Sequence, residues 1–136
     1  MATRILINSS LAMALALGFA ACGGDGGPVS PSGNGGGGND GAVGATVTIT
    51  SAGVSPKDVT ISAGQRVQFV NNDTQAHTIN SDPHPEHTNC PPINDVGFTA
   101  TGATRTTSNM TTVRTCGYHD HNLPDDARWK GTIRIQ

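Results

Sequence analysis

From Thr46 onward the chain is cut into short stretches in which β-branched and apolar residues alternate with polar ones, and this decides the fold class. TVTIT (46–50), KDVTI (57–61) and QRVQFVN (65–71) all alternate, with a turn at SAG (62–64) between the last two. AHTINS (76–81) and GTIRIQ (131–136) also read as strands. A period of two puts every second side chain on the same face of an extended chain, and β-branched residues suit a half-buried pleated surface. No stretch long enough for a helix repeats its apolar residues at the helical period. Many short strands in roughly 90 residues predict an all-β Greek-key sandwich. Its expected core is Val47, Ile49, Val59, Ile61, Val67, Phe69, Ile79, Ile133 and Ile135. So modest a core leaves room for a disulfide or a metal to contribute stability.

The residues before this domain follow different rules. MATR leads into an apolar run from Ile5 to Ala21, the layout of a secretory signal peptide. Its longest unbroken part, Leu11 to Ala21, is too short for the roughly 20 residues that a membrane span needs. The run ends FAAC, which resembles the bacterial lipobox, so residues 1–21 read as a lipoprotein signal peptide and Cys22 as the lipidated N-terminus of the mature chain. Gly23 after that cysteine favours the outer membrane as destination. Residues 22–45 have no aromatic residue and many glycines, and read as a flexible tether with a reach on the order of 25 Å. The domain proper is 46–136. Loss of Arg4 with the leader leaves 7 basic and 10 acidic residues, a net charge of −3, with no basic run. That balance excludes nucleic acid as a natural partner.

Two regions concentrate reactive side chains: RTCGYHDHN (114–122) and SDPHPEHTNCPP (81–92). The segment VTITSAGVSPKDVTISAGQRVQFVNNDTQAHTI (47–79) resembles the first half of a bacterial cupredoxin, of the plastocyanin and azurin superfamily. CGYH (116–119) followed by WKGTIRI (129–135) is similar to that family's Cys-x-x-His loop and closing strand. The resemblance covers 46–136. It implies a cupredoxin-type sandwich holding one copper ion through His77, Cys116 and His119, the His2Cys set of a blue-copper centre.

The departures from the family pattern matter as much. No methionine follows Cys116, and Trp129 occupies the position of the family's Met-Lys-Gly methionine. Met110, six residues before Cys116, reads as core. The axial position is therefore empty or filled by another residue. His121, two residues from His119 on an extended chain, faces the same side and is the candidate. Asp120 between them reads as an exposed carboxylate, or as an acceptor that orients an imidazole. In the second region four prolines forbid a regular helix, while His84 and His87 are candidate ligands that form or complete a metal site.

Cys90 sets a second reading against the thiolate. After lipidation of Cys22 only Cys90 and Cys116 remain, and in an oxidising compartment two cysteines pair. Pairing would close a 27-residue segment, worth about 3–4 kcal/mol on the chain-entropy model. It would also take the thiolate from copper and leave a site of histidines alone. The expectation is thus a membrane-tethered copper protein of the cell envelope that exchanges electrons or copper with a protein partner. The alternative is a disulfide-stabilised structural or interaction domain with a histidine-only metal site or none. No nucleophile–base pair and no paired carboxylates point to an enzyme, so any catalysis would come from copper itself.

Overall fold

The computed structural model describes residues 41–136. The leader, Cys22 and the tether up to residue 40 lie outside the described residues. Nine strands build two mixed sheets. They are β1 (Val43–Thr50), β2 (Gly53–Ser55), β3 (Asp58–Ile61), β4 (Arg66–Asn71), β5 (His77–Ser81), β6 (Gly97–Thr99), β7 (Thr104–Thr106), β8 (Arg114–Asp120) and β9 (Lys130–Ile135). One sheet runs β2-β1-β4-β7 and the other β3-β9-β8-β5-β6, with parallel pairing in β1–β4 and β3–β9. Because β1 opens at Val43, regular structure starts three residues before the boundary expected from composition.

The alternation read in the sequence is the burial pattern of the strands. Val47 and Ile49 of β1, Val59 and Ile61 of β3, and Val67 and Phe69 of β4 are buried, and their neighbours are not. All nine expected core residues belong to one cluster, joined by Val54, Ile93, Val96, Met110, Tyr118 and Trp129. Phe69 and Tyr118 meet edge to face across the two sheets, with ring centroids 5.2 Å apart. Between β3 and β4 the turn closes with Gly64 at φ 90°, a conformation glycine adopts without steric cost.

Strands β6 and β7 have three residues each, too few to display a period. β8 is hidden for another reason: RTCGYHD contains no β-branched alternation, yet its inward positions Cys116, Tyr118 and Asp120 are all buried. The proline-rich stretch after β5 is irregular as expected up to Cys90, where a single helical turn, α1 (Pro91–Asn94), begins. The prolines permit that turn because they fall in its first positions, whose N–H groups have no intrahelical partner.

Asn71, at the end of β4, fixes the next turn from inside. It is fully buried, donates from its amide to the carbonyls of Gln75 (2.8 Å) and Thr99 (3.0 Å), and accepts from the Asp73 N–H (2.9 Å). Asn71→Ala removes two buried hydrogen bonds and one to the carbonyl of the exposed Gln75, and a buried polar group left unpaired costs about 1–3 kcal/mol. A loss of about 2–4 kcal/mol is expected in denaturant unfolding; a folded variant that loses less than about 1 kcal/mol would show the turn to be held by other contacts.

Candidate metal centre

Strand alternation sorts the residues of β8 onto two faces. Cys116, Tyr118 and Asp120 point into the sandwich, opposite Ile133, Gly131 and Ile79 of the flanking strands. Gly117 and His119 point the other way, with His119 opposite Asn80 and Lys130. Three residues apart on a strand means opposite faces, so Cys116 and His119 cannot converge on one ion while β8 stays extended. Cys116 is in any case bonded to Cys90, with Cα atoms 5.9 Å apart. The thiolate reading of Cys116 is therefore corrected: the disulfide has taken its sulfur.

His77 is buried on the inner face and both its ring nitrogens are engaged. Nδ1 lies 2.7 Å from Asp120 Oδ2 and Nε2 lies 3.1 Å from Asp73 Oδ2, while the Trp129 ring stacks at 4.4 Å between centroids. Asp120 is thus not the exposed carboxylate the sequence led us to expect. It is 1% exposed, holds His77, and accepts the N–H groups of Thr78 and Asn122. Burial alone would raise the Asp73 carboxyl, but hydrogen bonds from His77 and Thr74 outweigh it and leave the group below the usual carboxylate range. With a carboxylate on each side and an indole on its face, His77 has both ring nitrogens engaged within the protein and stands apart from the other histidines.

The four remaining histidines form a separate group. One ring nitrogen from each of His84, His87, His119 and His121 lies within 4.8 Å of every other. β8 and the residue after it carry His119 and His121; the loop leaving β5 brings His84 and His87 over the outer face. His119 is the anchor. Its Nδ1 lies 2.7 Å from Asp82 Oδ1, and its Nε2, buried, has no hydrogen-bond partner. The missing side chain of Gly117 makes this possible, because a Cβ there would fall on the Asp82 carboxylate. Asp82 also donates its N–H to the Gly117 carbonyl at 3.0 Å.

Opposite His119, His121 Nδ1 and His87 Nε2 stand 3.2 Å apart. They share a hydrogen bond at this distance, close to the roughly 3.3 Å that separates tetrahedral ligands at about 2.0–2.1 Å from a metal. His87 has φ 53°, which for a residue with a side chain costs about 1 kcal/mol or more. Its carbonyl is gripped by Ser81 Oγ (2.9 Å) and Asn94 Nδ2 (2.8 Å), and its N–H reaches the Pro83 carbonyl (2.7 Å). Burial, then the neighbouring His119, His121 and His84, push the His87 imidazole below its ordinary pKa and favour the neutral, metal-binding form.

An unpartnered buried nitrogen among three further imidazoles fits a borderline divalent ion, Cu(II) or Zn(II), better than a hard cation. The sequence named all four of these histidines as candidates. It did not show that they form one group apart from His77, nor that Asp82 holds the group's most buried member. The signal for Asp82 was its place at the exit of β5, one residue after Ser81.

Comparison of the sequence with family models and with curated proteins finds no match. Solved structures share the fold. The oxidised plastocyanin of Dryopteris crassirhizoma aligns over 67% of this chain and 99% of its own, at 18% identity and TM-score 0.53. A purple cupredoxin from Nitrosopumilus maritimus aligns over 68% and 99%, at 20% identity and TM-score 0.53. A methionine-to-alanine mutant of amicyanin in its Cu(I) state aligns over 71% and 84%, at 16% identity and TM-score 0.52. The domain therefore has a cupredoxin-like fold.

The strained backbone at His87 makes its substitution informative. His87→Gly relieves the left-handed conformation, so the metal-free variant should unfold at the same denaturant concentration as wild type or higher, a gain of up to about 1 kcal/mol. Zinc affinity by chelator competition should fall at least about tenfold. A variant that is both clearly less stable and unchanged in zinc affinity would place His87 in the scaffold and not in the site.

Proposed function

We propose that this cupredoxin-like domain binds one copper ion through His84, His87, His119 and His121, and that it serves in copper handling at the bacterial cell envelope. The observation that carries the reading is His119 Nε2, buried and unpartnered, facing three further imidazoles. Four neutral imidazoles form a donor set that takes Cu(II) or Zn(II), and the order of divalent affinities places copper above zinc. The cupredoxin-like fold is the second support, since the amicyanin neighbour holds copper in its Cu(I) state.

Within this reading the division of labour among the residues is plain. Asp82 fixes the His119 ring so that Nε2 is the donor; Ser81 and Asn94 hold the backbone of His87. Copper would supply affinity for further ligands and access to a second oxidation state, while the chain holds the four rings. With Cys116 in a disulfide the thiolate of a blue-copper centre is missing, which weighs against fast electron transfer and for binding and exchange. Binding, not catalysis, is the role proposed. The lipobox-like FAAC and the glycine-rich segment after it support a lipid-anchored protein with the domain on a tether, within reach of a copper-exchange partner.

The test is copper titration of residues 41–136 produced in an oxidising compartment. One Cu(II) per chain is expected, with a nitrogen-ligand electron paramagnetic resonance pattern and no intense thiolate-to-copper absorption band. His119→Ala should weaken binding by about 100-fold, because it removes the best-oriented ligand. Affinity should fall as the pH drops below about 6.5, where free imidazoles take up protons. His87, with its lowered pKa, stays neutral further into the acid range than an ordinary histidine. No stoichiometric binding, or binding indifferent to His119, would sink the proposal.

A further inference from the structure

The two halves of the histidine group are stapled together by the only disulfide among the described residues. His87 and Cys90 are three residues apart in the loop, and Cys116 and His119 are three residues apart in β8. Cys90–Cys116 therefore joins the segment that carries His84 and His87 to the segment that carries His119 and His121. Cys116 points to the inner face of the sheet and the histidines lie on the outer one, so the sulfurs take no part in the group. Their contribution is to hold the loop in register with the strand.

The disulfide also borders the surface. Cys90 and Cys116 line a cavity of about 90 Å³, together with Asn89, Arg114, Met110 and Ile135. Both cysteines are buried, Cys90 3% exposed and Cys116 not at all, and this cavity is the approach to the bond that the structure offers, nearer the surface at Cys90. Arg114, exposed at the wall of this cavity, donates from Nη2 to Asn89 Oδ1 at 2.5 Å and places a cation beside the bond. A thiolate is the attacking species in disulfide exchange, and a neighbouring cation favours it.

We propose that Cys90–Cys116 is an exchangeable disulfide, opened by a dithiol reductant through the cavity beside Arg114, and that its opening loosens the histidine group. A thiolate of the reductant attacks Cys90 Sγ, forming a mixed disulfide and expelling the Cys116 thiolate, which takes a proton. The second thiol of the reductant then displaces Cys90. The reductant leaves as a disulfide; two electrons and two protons have passed to the two cysteines. Opening does not release the loop entirely, since Ser81 and Asn94 still hold the His87 carbonyl and Asp82 still meets Gly117. The expected effect is a weakening of metal affinity by about tenfold, the range for loss of a supporting contact. Linkage requires the reverse: a bound metal makes the disulfide harder to reduce by the same factor, about 30 mV for tenfold in a two-electron couple.

This inference rests on the metal-site reading of the four histidines, and the experiment separates the two. Zinc is the test ion, since it does not itself oxidise thiols. Zinc affinity is measured by chelator competition on the oxidised chain, on the chain reduced with dithiothreitol and exchanged anaerobically into buffer, and on Cys90→Ser/Cys116→Ser. Thiol counts and circular dichroism accompany each sample. Separately, the rate at which dithiothreitol exposes thiols in the metal-free chain is compared between wild type and Arg114→Gln. Support is a reduced but folded chain with affinity about tenfold weaker, and slower reduction in the Arg114 variant. Equal zinc affinity in oxidised and reduced chains overturns the coupling while leaving the metal site intact. A disulfide that reacts only in denaturant, or a chain that unfolds when reduced and in the serine variant alike, overturns the exchange and makes the bond purely structural. Absence of zinc binding by the oxidised chain fails the metal-site reading, and this inference with it.

Discussion

The period of two along β8 governs the chemistry of this domain. Seven consecutive residues present one set of side chains to the interior and the other to the outer face, and each set is committed to a different task. Inward, Cys116 closes a disulfide, Tyr118 packs on Phe69, and Asp120 holds His77. Outward, Gly117 vacates space for Asp82, and His119 receives that carboxylate on one nitrogen and offers the other. A shift of one residue in the pairing of β8 with β9 would turn the imidazole inward and the sulfur outward, undoing the disulfide and the histidine group together. The register is held on both sides, by β5 and by β9, so the site inherits the rigidity of a central strand.

On the inner face of the sandwich, the surroundings of His77 are filled by protein. His77 is clamped between Asp73 and Asp120 and covered by Trp129. Both nitrogens of this ring already face carboxylate oxygens, at 2.7 Å and 3.1 Å. The arrangement is self-sufficient: hydrogen bonds satisfy the buried polar groups of His77, and Asn71 fixes the turn that delivers Asp73. A polar cluster of this kind serves as a keystone between β4, β5 and β8, and the group of four histidines lies on the opposite face of the same sheet.

The strand pattern and the core were legible in the sequence because alternation of Val, Ile and Thr is a local signal. Val47 through Ile135 declared their faces without tertiary information. β6 and β7 were not legible, being too short for a period, and β8 was not, since its inward residues are a cysteine, a tyrosine and an aspartate. All four histidines were visible as candidates, but their partition was not. Whether His119 shares a site with His77 or with His84 depends on which face of the sheet each ring occupies, and that follows from register, a long-range property. The family resemblance pulled the other way, toward His77 and Cys116. Only once β8 is known to run as a strand through Asp120 does alternation separate Cys116 from His119, three residues on and on the opposite face.

The loop over the outer face is built to hold a costly conformation. His87 sits at positive φ, where a residue with a side chain pays about 1 kcal/mol or more. Folding tolerates this because Ser81 and Asn94 grip its carbonyl and Pro83 accepts its N–H. Asn94 is the hub: besides His87 it bonds the Ser81 N–H, and it stands in α1, whose Ile93 is buried in the core. The strained residue is thus tied through one side chain to an element anchored in the core. A glycine would meet the backbone demand at lower cost, and only a side chain with a ring nitrogen completes the group of four. His87 at this position is a local expense with one visible return: an imidazole nitrogen hydrogen-bonded at 3.2 Å to that of His121 and set within the group of four.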